Sequence, residues 1–494
     1  MKPSLFQLTQ KSGGPSVFAP VKQWLKTEIT LHKLDSPFGY IFLSILAWLV
    51  ALLIGRNSPE FSITLFAVVV MIPVLMGTLF ELRFGISVLL ITGFFTMEVK
   101  RLLPEIQLDL FLDSTLVIML FGLFLKQTRQ QDWRFAWNPI SGIILVWVVY
   151  SVFELTNPWA RSAVAWYYSM RSLTGIMFLF FVALYAFREM KSVRSFVILW
   201  MCLATLGGLY GIWQEVYGLQ GFEWRWLMED YSRFEDFFTL GRIRKFAFFS
   251  DPGSFGIIMG LSSLVCLGLI FGSGVPKRKI SLLVVAALIM LVGMFASGTR
   301  TAFVILPAGF AFLAFLTLDK RIFLLGGLGL VIVIILVFIP SDNYHLTRFR
   351  STFHPTETTS FQTRMQNHEF IQPYIRSRPI GIGLGSTGIW GQKFSPDTML
   401  SQFPPDSGYV RIAVETGWIG LFLYLGLIFT ILAVGAKNYF SIKDPHLKRY
   451  QGVFLAAVFA LALANYPQQA LTQLPSSIIF YLLSAALVKI RDFE

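Results

Sequence analysis

Apolar residues in this sequence run in blocks of about 15 to 22, separated by Gly, Pro and clusters of charge. A helix of that length matches the thickness of a bilayer's hydrocarbon core. About fourteen such spans are predicted, over 38–55, 61–80, 84–99, 108–125, 139–155, 171–187, 195–213, 253–271, 280–296, 301–318, 322–339, 408–434, 451–465 and 475–488. The pattern predicts an all-α, polytopic integral membrane protein. No internal repeat and no low-complexity tract interrupts it.

Composition sharpens this picture. Of 494 residues, 55% are hydrophobic and 14% charged. A soluble domain carries about 25% charged residues. The net charge of +13 would suggest nucleic acid in a soluble protein. Here the basic residues sit mainly in short gaps between apolar blocks, so they read as membrane topology instead. Cys202 and Cys266 both lie inside apolar blocks and predict neither a disulfide framework nor a metal site. Residues 1–37 are polar and hold no apolar core of a signal peptide.

With the N-terminus inside, 23 of the 41 Lys and Arg fall in the segments on that side. Most of the remainder lies in two long segments on the other side, and long segments cross regardless of charge. The expected arrangement is a cytoplasmic segment 1–37, a membrane domain 38–488 and a cytoplasmic tail 489–494. Segment 1–37, with "VFAPVKQWLKTEITLHKL", suits an amphipathic surface helix. Segments 214–252 and 340–407 then lie outside the cell membrane. The first contains "FEWRWLMEDYSRFEDFF", which suits a helix lying along the interface. The second is far longer than an ordinary connector.

Several charges sit where hydrocarbon begins. Arg171 enters the sixth span, Arg300 lies in the tight link "FASGTRTAF", and Asp406, Arg411 and Glu415 open the twelfth. A charge at mid-membrane depth costs roughly 3 kcal/mol or more. All are predicted near the outer face, with Arg242, Arg244, Arg348, Arg350, Arg364, Arg376 and Arg378 in the outer segments. Arginines beside a bilayer surface suit a phosphate or pyrophosphate group, because the guanidinium stays charged and offers a planar fork of donors. Each has a plainer reading. Arg171 can snorkel, Arg300 can cap a turn or meet a lipid phosphate, and Asp406 can be a helix N-cap. Arg411 and Glu415 can be a simple i, i+4 pair. Asp251-Pro252 reads as an N-cap with proline at the first helical position. "GIGLGSTG" (381–388) reads as tight turns, since it sits in an outer segment away from nucleotide. His345, His354 and His368 lack metal-ligand spacing, and His368 remains a possible acid or base.

Four stretches resemble, in order, motifs of the O-antigen ligase and O-antigen polymerase family. They are "FFSDPGSFG", "ASGTRTAFV", "RMQNHEFIQPYIRSRPIGIGLGS" and "PPDSGYVRIAVETGWIG". The resemblance covers about residues 240 to 434, and the long outer segment falls between the second motif and the last. It implies a GT-C-like fold in the bacterial inner membrane. It implies an inverting, metal-independent glycosyltransferase with no cofactor. Such an enzyme takes a glycan from an undecaprenyl-pyrophosphate carrier on the periplasmic side. It passes that glycan to a hydroxyl on a growing polysaccharide, on lipid A core or on a protein. A chain-length regulator is a possible further partner, and no nucleic acid is implied.

The resemblance makes Arg300 and Arg364 the pyrophosphate binders, with Arg171 and Arg244 as further candidates. It sets Asp406 where the family has the histidine that acts on the acceptor hydroxyl, and Ser407 where it has asparagine. A carboxylate can still accept that proton. Its unperturbed pKa, about 3.9, makes it a weak base unless burial raises it. The missing histidine favours a polysaccharide polymerase over a lipid A ligase. Arg411, Glu415 and His368 are expected in supporting roles. The rivals are a lipid-linked oligosaccharide flippase, which would show repeats and mid-bilayer charges, and a membrane scaffold.

Overall fold

The computed structural model describes residues 41, 44, 45, 48, 71–104, 106, 108–270, 276–339, 343–353, 359–403 and 405–494. Segment 1–37 and most of the expected span 38–55 lie outside them. So does the first half of 61–80, whose second half is the helix Met71–Phe80 (α1).

Among the described residues, eleven helices are long and apolar enough to cross a membrane. The first half of the chain supplies α2 (Leu82–Leu102), α3 (Leu108–Gln130), α4 (Pro139–Phe153), and the pair α5 (Ala163–Leu173) and α6 (Leu179–Ala186). A 3-10 turn joins that pair into one span, Ala163–Ala186, which begins eight residues before the expected 171. Helix α7 (Met190–Tyr217) follows. The second half supplies α10 (Pro252–Ile270), α11 (Lys277–Ser297), α12 (Arg300–Thr317), α13 (Lys320–Phe338), α17 (Gly408–Ser441) and α18 (Pro445–Ala464). The protein is all-α and polytopic, as the apolar pattern predicts.

Local chemistry explains the ends. Asn138 accepts from the Ser141 amide and Asp444 from the His446 amide, each with proline at the next position. Gly298 ends α11 in the left-handed region, at φ +58°. Burial then orders the bundle. Helix α10 is almost wholly buried, packed between α7, α11, α12 and α18. Its glycines and serines allow close approach. Helix α13 is the opposite, with 6% of its apolar window buried, and it turns its Leu, Val and Ile outward.

Two expectations need correction in detail. The interfacial segment is two short helices, α8 (Gly221–Met228) and α9 (Tyr231–Phe237), followed by a small hairpin of β1 (Phe238–Thr239) and β2 (Arg242–Ile243). Asp230 interrupts the helix by capping α9 through the Ser232 amide. The final expected span is α19 (Ser476–Lys489), 14 residues or about 21 Å long. It is too short to cross alone, and nearly every residue of it is buried against α6, α17 and α18.

The segment 340–407 contributes α14 (Tyr344–Arg350), α15 (Thr359–Ser377) and α16 (Gly388–Phe394). Helix α17 is broken at Gly417, whose φ of +67° is not helical. Residues 408–416 therefore form a separate short helix ahead of the span proper. The break is needed because the loop 379–383 passes directly beneath it. The Ile419 amide bonds to the Pro379 carbonyl at 3.2 Å and the Gly383 amide to the Glu415 carbonyl at 2.9 Å. A side chain on Gly417 or Gly381 would collide with the other's backbone.

Candidate active site

The loops that share one end of the bundle close around a cavity of about 570 Å³. Its wall collects Asp236 and Arg244 from the interfacial segment, Asp251 at the head of α10, and Arg364 from α15. Trp390 and Gln392 come from α16, Asp406 and Arg411 from the entry to α17, and Gln468, Gln469 and Gln473 from the link between α18 and α19. A smaller cavity of about 90 Å³ adjoins it and shares Arg364, Asp406 and Pro467 with it. His368, one helical turn beyond Arg364, lines this second cavity.

Asp406 stands at the junction of the two. Its side chain is 49% exposed, and its Oδ2 lies 3.5 Å from Nε of Arg364. It does not cap the helix that follows: Ser407 does, accepting from the Val410 amide. Asp406 is thus free of the structural duty that a carboxylate before a helix usually performs. Asp251 does perform it, accepting from the amide and the hydroxyl of Ser254, as the Asp-Pro pair predicts.

Nine residues after Asp406, Glu415 has the reverse character. It is completely buried and accepts from Gly385 N at 3.1 Å, Thr387 Oγ1 at 2.7 Å and Ser169 Oγ at 3.4 Å. Arg411 completes the set at 3.3 Å through Nε, and its other nitrogens reach Gln469 Oε1 at 2.9 Å and Ser169 Oγ at 3.3 Å. One carboxylate so ties α5, the glycine-rich loop, the head of α17 and the glutamine link into a single unit. The i, i+4 pair seen in sequence is its centre, with the other five contacts added by the fold. The four glycines at 381, 383, 385 and 388 all have positive φ, in line with the tight-turn reading.

The cations gather on the facing wall. Arg244 bonds to the Ser297 carbonyl at 3.1 Å and to Thr299 Oγ1 at 2.8 Å. Burial lowers its pKa to about 10, helped by repulsion from Arg348 and Arg300. It remains cationic at neutral pH. Arg348 bonds to the Gly298 carbonyl at 3.0 Å, so Arg244 and Arg348 grip the same turn from two sides. Arg300 starts α12 at that turn, close enough to Arg348 and Arg364 to feel their charge. Like charges held this near one another store a repulsion that a bound anion would relieve. Burial, then the nearby Asp406, hold Asp236 above the usual carboxylate range, against the pull of Arg244.

Arg364, Arg244, Asp406 and Arg411 line the main cavity, as a shared site requires. Arg300 is outside that lining, at the start of α12 beside the Gly298 turn. Arg171 is not in the lining. It pairs with Asp113 at 2.9 Å and lies under the ring of Tyr168, 5.3 Å from its centroid. Tyr168 in turn stacks on Trp390 at 4.5 Å, so Arg171 backs the aromatic wall. Trp390, Asp236 and the three glutamines of "NYPQQALTQLP" were not picked out in sequence, whereas Arg348 was, as one of the arginines of the long segments. The glutamines left a signal: a run of uncharged polar residues between two apolar spans, longer in polarity than a connector needs.

Residues 285–425 match the family model described as O-antigen ligase. The chain carries that family's domain. The O-antigen ligase domain begins within α11 and ends within α17, so it takes in Arg300, Arg348, Arg364, His368, Asp406, Arg411 and Glu415. Asp236, Arg244 and the glutamine link fall outside the matched segment, yet they close the same cavity. At family level this is the domain of an O-antigen ligase or polymerase type of membrane glycosyltransferase. No curated protein matches the chain.

Proposed function

We propose that the protein transfers a glycan from an undecaprenyl-pyrophosphate carrier to an acceptor hydroxyl, and that it does so as a polysaccharide polymerase. The observation that carries this reading is the Asp406–Arg364 pair at the junction of two cavities. The larger cavity takes the donor. Its pyrophosphate lies between Arg364 and Arg244, with Arg300 and Arg348 adding charge from behind, while the lipid tail stays in the bilayer. The sugar rests against Trp390, and amides of Gln468, Gln469 and Gln473 bond its hydroxyls. The smaller cavity admits the acceptor hydroxyl beside Asp406, with His368 at its wall.

In this reading the acceptor oxygen attacks the anomeric carbon from the face opposite the pyrophosphate. The new C–O bond forms as the bond to the phosphate oxygen breaks, and configuration inverts. The electron pair leaves with the pyrophosphate, whose charge the arginines stabilise. The proton passes to the Asp406 carboxylate. Arg364 links the two events. Without donor it is drawn to Asp406, 3.5 Å away; a pyrophosphate competes for it and frees the carboxylate for the acceptor. The enzyme works in the bacterial inner membrane with its cavity to the periplasm, in keeping with the distribution of Lys and Arg.

Purified protein in nanodiscs, given undecaprenyl-pyrophosphate-linked repeat unit and EDTA, is expected to lengthen glycan chains without other additions. Transfer only after lipid A core or a protein acceptor is supplied would replace polymerase by ligase. Movement of donor between leaflets with no transfer would overturn the enzyme reading in favour of a flippase.

A further inference from the structure

A second built cavity lies at the other end of the bundle. Helices α2 and α7 start side by side and run the same way, and their first two turns enclose about 270 Å³. Arg101, near the end of α2, bonds to the carbonyl of Ala247 beside the arginine cavity. Arg83, near its start, is 18 residues earlier, or about 27 Å away along the helix. The two cavities thus sit near opposite membrane faces.

The lining is ordered as an amphiphile is. Each helix presents one face at i, i+3, i+4 and i+7: Arg83, Ile86, Ser87 and Leu90 on α2, Ser192, Ser195, Phe196 and Leu199 on α7. Polar groups hold the mouth and hydrocarbon the depth. The mouth carries two cations, Arg83 and Lys191, and one carboxylate, Glu189. Arg83 and Glu189 approach only to 3.8 Å, a long ion pair. The hydroxyls of Ser87 and Ser195 are taken by their own helices, through the carbonyls of Arg83 and Lys191. Ser192 is different. It is 8% exposed, and its Oγ has no hydrogen-bond partner. A buried hydroxyl left unpaired costs free energy unless a ligand satisfies it. The N-terminal ends of two parallel helices add positive potential at the same spot.

We propose that this cavity binds a glycerophospholipid whose headgroup carries both a phosphate and a primary ammonium. The phosphate meets Arg83, Lys191 and the Ser192 hydroxyl. The ammonium meets Glu189, and the upper acyl chain runs along Ile86, Leu90, Phe196 and Leu199. The two cations call for an anion, and the single carboxylate beside Arg83 calls for a cation on the same ligand. A primary ammonium can donate to Glu189, whereas a trimethylated one cannot. The site is independent of the glycosyltransferase reading.

The test is native mass spectrometry of the delipidated full-length protein, titrated separately with phosphatidylethanolamine, phosphatidylglycerol and phosphatidylcholine. The expected result is one tightly retained phosphatidylethanolamine. Lys191→Ala, at an exposed position, and Arg83→Ala should each weaken it about tenfold, one charge-assisted bond being lost. Glu189→Gln should abolish the preference over phosphatidylglycerol while leaving phosphatidylglycerol bound. Equal retention of all three lipids, unchanged in Lys191→Ala, would overturn the proposal. So would a preference that survives Glu189→Gln. Displacement of the lipid by millimolar inorganic phosphate or phosphoethanolamine would show a site for a free anion and would overturn the lipid assignment.

Discussion

Asp406 and Glu415 are nine residues apart in one short stretch, and the fold treats them in opposite ways. Glu415 is fully buried and accepts from four side-chain or backbone donors. Asp406 is half-exposed, caps nothing, and is held by one arginine at 3.5 Å. A buried carboxylate with every lone pair engaged organises its surroundings and has little left with which to react. A carboxylate at the junction of two cavities, with one loose partner, can exchange that partner for substrate. Charge at a membrane surface is therefore not one signal. Under the proposed function the first carboxylate serves chemistry, while the second ties loops together.

The comparison can be broken most directly by exchanging what each residue is asked to do. Asp406→Asn is expected to lower chain growth by about 10² to 10⁴-fold, as loss of a general base does. Its melting temperature should stay within a degree or two of the parent, because an exposed pair contributes little stability. Glu415→Gln should show the reverse order of effects. It leaves Arg411 buried beside a neutral amide, and breaking such a pair costs about 3 kcal/mol or more. A thermal scan in detergent should show a large drop in melting temperature, with activity falling as folded protein is lost. Normal thermal stability in Glu415→Gln would contradict its role as the tie between loops.

Arg364 sharpens the contrast, since it approaches the half-exposed carboxylate and not the buried one. Arg364→Ala is expected to reduce transfer about 10² to 10³-fold. Arg364→Lys should recover only part of it, because an ammonium lacks the planar fork. An Arg364→Lys variant at full activity would argue against a pyrophosphate held by two parallel bonds. Trp390→Ala removes a stacking surface worth about 1 kcal/mol, or roughly fivefold in apparent affinity for donor, with kcat nearly unchanged. A fall in kcat alone would remove Trp390 from the sugar site.

The smallest effect concerns Asp236. Burial raises its pKa, so the folded protein holds this proton to higher pH than the unfolded chain does. Its penalty on stability is complete above the folded pKa and fades as pH falls toward the unfolded value of about 3.9. Asp236→Asn should then raise the melting temperature slightly at pH 7, with the gain shrinking as pH is lowered into the carboxylate range. A gain that grows on acidification would reverse the sign and contradict this account.

Much of this was legible in the sequence. Blocks such as 253–271 and 322–339 are apolar for a full membrane thickness, and nothing but a helix satisfies their backbone there. Asp251-Pro252 announced its helix start through two independent preferences. The break at Gly417 was not legible, because "ETGWIG" reads as a continuous apolar entry until Pro379 and Gly381 are known to pass beneath it. Arg364 and Asp406 were legible through motif order, since both come from the family's own segment. Arg171 illustrates the limit: its partner Asp113 is 58 positions away, and no local pattern pairs them. Trp390 and the glutamines were hidden for a similar reason. Their chemistry exists only once the link between α18 and α19 and helix α16 line the same cavity, which no single window of sequence contains.

The division between the two carboxylates is tested most directly by a single-turnover measurement. Wild-type protein and Asp406→Asn would be saturated with undecaprenyl-pyrophosphate-linked glycan, bound donor would be quantified in the same sample, and one transfer to excess acceptor would be timed. The account predicts equal bound donor and a rate at least about 100-fold slower in the variant. Transfer by Asp406→Asn within a few-fold of wild type, with donor equally bound, would contradict the assignment of Asp406 as the group that takes the acceptor's proton.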